Sequence, residues 1–239
     1  MALPKIDAPV YELDLPLSKK HIRFRPFLVK EQRNLMMALE SDDKGNIEKN
    51  VRQVLHNCTL TEGIEIDDLP ILDVEYYFLQ LRARSVGEVV ENKYKCENLV
   101  DEKPCGNLME SNLNLLDIKV NMPENQSDVI QLNNKLSIKL KYPEFSILSA
   151  DISSATDLAF SMIVNSIEYI FDGEQYYYAK ESSPEELTEF VESLNQQQFS
   201  KIEDFFSNLP TLNKNIQMDC NKCGFHHTIE VEGLESFFG

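Results

Sequence analysis

The sequence has no tryptophan, eight glycines and ten prolines in 239 residues, and only four histidines. It has no low-complexity tract, so disorder is expected only at the N-terminal end and in some loops. No segment reaches the ~18 consecutive apolar residues of a membrane span. The opening MALPKIDAPVYELDLP has no positive region followed by an apolar run, which argues against a signal peptide and for the cytosol. Positive charge is scarce too. There are 23 Lys and Arg against 40 Asp and Glu, a formal net charge of −17. A field of that sign repels nucleic acid and anionic membranes, and a partner steered by charge would carry a basic patch. No dinucleotide fingerprint, P-loop, nucleophile elbow or HExxH helix occurs. With so little histidine for acid–base work, the chain is not expected to be an enzyme.

Apolar residues make up 42% of the chain, enough for an ordinary core. Their spacing predicts an α+β fold. Val10, Leu13 and Leu15, a polar turn at Ser18-Lys19-Lys20, and Ile22 to Pro26 read as a β-hairpin. Helices are expected over about 29–39, with Leu35, Met36 and Leu39 on one face, over 47–58, and over 72–84 with Val74, Tyr77, Phe78 and Leu81 as the stripe. A β-rich stretch follows, including a hairpin from Val129 to Tyr142 turning at Asn133-Asn134. Asp172-Gly173 between two tyrosine-rich runs predicts a two-residue hairpin turn. Ser183-Pro184-Glu185-Glu186 is a helix start, with serine as the cap and proline at the first helical position. The expected organisation is an N-terminal hairpin and helices over 1–88, a β-rich module formed by 89–144 together with 211–239, and a helical part over 145–210 inserted into it.

Five cysteines in a reducing compartment argue for metal rather than disulfides. Cys220-Asn-Lys-Cys223-Gly224 is a zinc-knuckle pattern, in which a tight turn lets two thiolates reach one tetrahedral ion. Cys96 and Cys105 supply the other pair. Eight residues separate them, wider than a standard knuckle, but Pro104-Cys105-Gly106 resembles the second half of one. All four flanks read as strands, so the expected site is a split zinc ribbon with one structural zinc on Cys96, Cys105, Cys220 and Cys223. The alternative replaces one thiol with His226 or His227, which otherwise read as plain strand residues or as side chains tuning a sulfur. Four thiolates leave no open coordination position, so the site would be structural. Cys58, between Leu55 and Leu60, reads as a buried apolar group.

Two surface features carry two readings each. Lys19, Lys20, Arg23, Arg25, Lys30 and Arg33 form either a contact surface for an acidic partner or a hairpin edge guarded by charge. The closing Leu234, Phe237 and Phe238 dock either on their own core or on a partner. A nucleic-acid-binding zinc ribbon using Lys93, Lys95, Lys214 and Lys222 is the alternative reading of the whole chain.

Three stretches carry a family likeness: MALPKIDAPVYELDLPLSKKHIRFRPFLVKEQRNLMMALES, then LPILDVEYYFLQLRARSVG over 69–87, then CNKCGFHHTIEVEGLESFF over 220–238. They resemble the baseplate proteins of T-even-like contractile-tailed bacteriophages. The resemblance implies a part in building the baseplate hub and no catalytic residues. It also implies other hub proteins as partners. It places the chain in the host cytoplasm during assembly and, if retained, in the tail baseplate of the virion.

Overall fold

The computed structural model describes residues 7–41, 44–124, 126–149 and 154–233. The tail residues Leu234, Phe237 and Phe238 lie outside them. The fold is α+β, with six α-helices and several small antiparallel sheets among the described residues. The chain divides into two compact units. The first comprises 1–64, 72–121 and 211–239; the second comprises 65–71 and 122–210. The longer segment of the second unit begins at Met122 and takes in the hairpin around 129–140.

In the first unit, β1 (Tyr11–Asp14) and β2 (His21–Phe24) pair antiparallel, with Tyr11 opposite Phe24. Ile22 and Phe24 are buried and the charged residues between them face out, as the alternation requires. α1 (Val29–Glu40), α2 (Lys44–Cys58) and α3 (Ile71–Ser85) follow. α3 buries Val74, Tyr77, Phe78 and Leu81 completely. On α1 the buried positions are Glu31, Leu35 and Ala38, whereas Met36 and Met37 are more than half exposed. The inner face of α1 is thus turned away from the one expected from Met36. A buried salt bridge fixes it. Arg25 donates from Nη2 to Glu31 Oε1 (2.8 Å) and from Nη1 to Glu31 Oε2 (3.1 Å), and also bonds the Asn57 carbonyl (3.0 Å) and Cys58 Sγ (3.5 Å). Arg25 is therefore an internal strut and not part of a basic contact surface. Burial pushes the Cys58 thiol up to about 12, which makes it inert at neutral pH.

A second buried acid was not foreseen. Asp73 is fully buried in the first turn of α3, where its two carboxylate oxygens accept the Leu17 and Ser18 amides at 2.8 Å each. It pins the β1–β2 turn to the helix. Asp73→Ala strands both amides, and a loss of about 2–4 kcal/mol is expected in urea titrations. An unchanged midpoint would show that the turn holds without it.

β3 (Val89–Lys95) pairs with β6 (Leu108–Asn114), and between them β4 (Leu99–Val100) and β5 (Lys103–Pro104) form a small hairpin tip. A short turn after β6, where the Asn114 side chain accepts the Leu116 amide, separates it from β7 (Lys119–Asn121).

In the second unit, β8 (Val129–Gln131), β9 (Ser137–Leu140), β10 (Ile167–Phe171) and β11 (Tyr176–Tyr178) form a sheet of order β11-β10-β9-β8. α4 (Ala155–Asn165), α5 (Pro184–Glu192) and α6 (Gln196–Ser207) share its core, which includes Ile138, Leu140, Ile163, Ile170, Val191 and Ile202. Ser183 caps α5 reciprocally with Glu186, as its sequence predicts. Both hairpin turns differ from expectation. The β8–β9 loop runs from Leu132 to Leu136 around the Asn133 side chain, which accepts the Lys135 and Leu136 amides. In the β10–β11 turn, Asp172 N–H donates to the Gln175 carbonyl, so Gly173 and Glu174 take the central places. Gly173 has φ +97, the geometry that glycine supplies.

The chain then returns to the first unit. β12 (Thr211–Asp219) pairs with β13 (His226–Glu232) and with β7.

Candidate metal centre

Both cysteine-bearing hairpins grow from one apolar cluster. Val90 of β3, Leu113 of β6, Leu212 of β12 and Val231 of β13 pack with Leu72, Leu79 and Ala83 of α3. Strand rise over the six to eight residues between cluster and cysteine carries each hairpin about 20–25 Å outward, and at the far ends the four cysteines meet.

Their sulfurs all lie within 4.8 Å of one another. Cys96 Sγ is 3.7 Å from Cys223 Sγ, and Cys105 Sγ is 3.8 Å from Cys220 Sγ. A tetrahedral ion about 2.3 Å from each sulfur sets the sulfurs about 3.8 Å apart. All five cysteines are free, so no pair in the cluster is oxidised. Cys96, Cys105 and Cys220 are buried with Met109, and Tyr94 and Met218 pack against them. Four soft sulfur donors at this spacing could hold a divalent metal ion, and they fit zinc better than magnesium or calcium.

Turn chemistry builds both loops. In the second, the Gly224 amide donates to the Cys220 carbonyl (2.8 Å) and the Cys220 amide to the Phe225 carbonyl (2.9 Å). Gly224, at φ +73, allows the reversal. In the first, the Cys96 amide donates to the Asn107 carbonyl and the Gly106 amide returns to the Cys96 carbonyl. Asp101 and Glu102, both at positive φ, make the tight turn between β4 and β5. The ten residues from Cys96 to Cys105 are thus an ordered hairpin tip, which closes the wide spacing noted in the sequence.

Hydrogen bonds reach the sulfurs from several sides. The Cys223 amide, with that of Lys222, draws the Cys220 thiol down to about 6 against the opposing effect of burial. The Phe225 amide lowers Cys223. Burial pushes Cys96 up to about 12 despite the Asn98 amide. Across the two loops, the Asn98 amide side chain donates to Cys223 Sγ (3.6 Å) and that of Asn107 to Cys220 Sγ (3.5 Å). Lys222 Nζ donates to the Cys105 carbonyl (3.0 Å). His227 Nε2 lies 3.2 Å from Cys96 Sγ, and its ring meets Phe225 edge-on. His226 turns away and pairs with Asp219 at 2.7 Å. Of the two histidines, His226 is the plain strand residue and His227 belongs to the sulfur cluster as a hydrogen-bond partner. Asn98, Asn107 and Lys222 carry no motif in the sequence. The one available signal was their place within two residues of a cysteine.

No curated protein and no solved structure matches the chain. A family model described as T4 bacteriophage base plate protein matches residues 8–239. That span includes both hairpins and all four clustered cysteines, and the chain belongs to this family of bacteriophage baseplate proteins.

Proposed function

We propose that the protein is a hub component or hub-assembly factor of the phage tail baseplate. It holds one structural zinc ion on Cys96, Cys105, Cys220 and Cys223, and acts by binding other hub proteins rather than by catalysis. The observation that carries the zinc is the sulfur geometry, two pairs at 3.7 and 3.8 Å where strands from distant parts of the chain end together. A four-sulfur set leaves no position for water or substrate, so its contribution is to fix the two hairpins against each other. The family supports the baseplate role. It also makes the host cytoplasm during assembly, and then the tail, the expected locations.

The nucleic-acid reading has less support. Lys93 pairs with Glu110 (3.4 Å), Lys214 pairs with Asp117 (3.2 Å), and Lys222 is held by the Cys105 carbonyl. Paired lysines release few counterions from a phosphate backbone.

Three measurements test the proposal. Affinity purification of the tagged protein from infected cells should bring down baseplate hub proteins, and its absence from every such complex would overturn the role. Elemental analysis should give one zinc per chain. His227→Ala and Asn107→Ala should each weaken zinc retention 10–100-fold in competition with a chelating dye, because groups that orient metal ligands carry effects of that size. Retention unchanged in both variants would show that these contacts are incidental.

A further inference from the structure

The second unit ends its sheet in an unusual strand. β11 consists of three consecutive tyrosines, Tyr176, Tyr177 and Tyr178, each more than 40% exposed. Among the described residues it pairs only with β10, which leaves its other side as a sheet edge without a described neighbour. The register fixes what that edge offers. Asp172 N–H bonds the Gln175 carbonyl across the turn. Antiparallel alternation then directs the backbone of Tyr177 toward Ile170, and the N–H and C=O of Tyr176 and the N–H of Tyr178 outward, while the Tyr178 carbonyl meets the Ser182 hydroxyl at 3.5 Å. Tyr176 and Tyr178 also share a sheet face with Phe171 and Tyr169. Their rings form one aromatic surface, with centroids 4.6 Å apart for Phe171–Tyr176, 5.1 Å for Tyr169–Tyr176 and 6.0 Å for Tyr169–Tyr178. Native sheets usually guard a free edge with charge, proline or a cover, whereas this one presents tyrosine, the residue that interfaces favour.

Charge selects the occupant. The second unit carries 18 acidic and five basic residues, so it holds −13 of the chain's −17. Acids flank β11 in sequence at Glu174, Glu181, Glu185 and Glu186. The rings already accept cations. Lys139 Nζ lies 5.9 Å from the centre of Tyr169, and Lys180 Nζ lies 5.5 Å from that of Tyr178. A second copy of so acidic a unit would be repelled.

We propose that the β11 edge and the Tyr169–Phe171–Tyr176–Tyr178 surface bind an extended, basic strand of a different protein. That strand pairs with the N–H and C=O of Tyr176 and the N–H of Tyr178 and lays arginine or lysine side chains across the rings. This deepens the hub-binding role above and rests on it for the partner's identity. The mode, strand addition with alternate side chains read on one face, needs only the edge and the surface described.

The test uses the full chain and a labelled peptide of alternating arginine and valine, with a glutamate–valine peptide of equal length as control. Fluorescence anisotropy should show the basic peptide binding, more weakly at higher salt, and the acidic one not binding. Two variants separate strand docking from general charge attraction. Tyr176→Thr with Tyr178→Thr removes two rings and keeps strand-forming residues. Tyr178→Pro removes one outward N–H at a residue whose φ of −81° already suits proline. Each should weaken binding at least tenfold, with circular dichroism and melting temperature unchanged. Wild-type binding in both folded variants, no binding by the native protein, or a dimer that these substitutions dissolve would overturn the proposal. Hub proteins captured equally by native protein and variants would uphold the hub role and move the contact elsewhere.

Discussion

Removing zinc with a chelator is expected to lower the melting temperature by about 10–20 °C. Thiolate-bound zinc supplies about 10–16 kcal/mol to small zinc fingers. Here the two hairpins also share an apolar cluster, so a loss near 5 kcal/mol is the reasonable figure, and at about 2–4 °C per kcal/mol for a chain of this size it gives that range. Cys220→Ser with Cys223→Ser should reproduce the effect without chelator. The damage should also be local. The second unit contains no cysteine and has its own core. Hydrogen exchange should therefore accelerate in β3, β6, β12 and β13, while the amides of β9 and β10 stay protected. Equal melting temperatures with and without metal would remove the structural role assigned to the ion.

The second large effect is expected at Arg25 and Glu31. Their side chains are 19% and 3% exposed and joined by two hydrogen bonds. Taking one partner away leaves the other charge buried, so Arg25→Ala or Glu31→Ala should cost about 3–5 kcal/mol at pH 7. The double variant should cost less than the sum of the two. Acid dependence follows from the shift. Burial alone would raise the Glu31 carboxyl, but the Arg25 and Leu28 hydrogen bonds outweigh it and hold it below the ordinary range. A carboxyl whose folded pKa is depressed stabilises the fold fully above its unfolded pKa and loses that contribution as pH falls through the folded one. Chemical denaturation from pH 7 down to pH 3 should therefore show the gap between Glu31→Gln and the native protein hold to about pH 5 and then narrow. A constant gap across that range would show that the pair is not coupled to protons.

Both sites illustrate what a sequence reveals and what it does not. The stripe Val74, Tyr77, Phe78 and Leu81 was legible because helical periodicity is local, and all four are buried. The Ser183 cap was legible for the same reason. The grouping of the four cysteines was legible because each knuckle-like loop and its strand flanks are local, and only the side chains that bond the sulfurs needed the fold. Glu31 and Asp73 were hidden, since a carboxylate becomes a core residue only when donors arrive from elsewhere in the chain. For Asp73 the donors are 55 and 56 residues away. Arg25 was misread as surface charge for want of the same information. The turns at Asn133 and Asp172 show a finer limit. Each residue uses its side chain to accept backbone amides, so it sits beside the reversal instead of at its centre.

The order in which the chain is made has a consequence for the split ribbon. Cys105 and Cys220 are 115 residues apart, and most of the second unit is synthesised between them. On the ribosome the first hairpin must wait, its two thiols half-equipped, until β12 and the knuckle emerge. Under the proposed zinc site, metal capture is then a late event in synthesis. A nascent chain halted before Cys220 would hold two of the four sulfurs, too few for the proposed tetrahedral site.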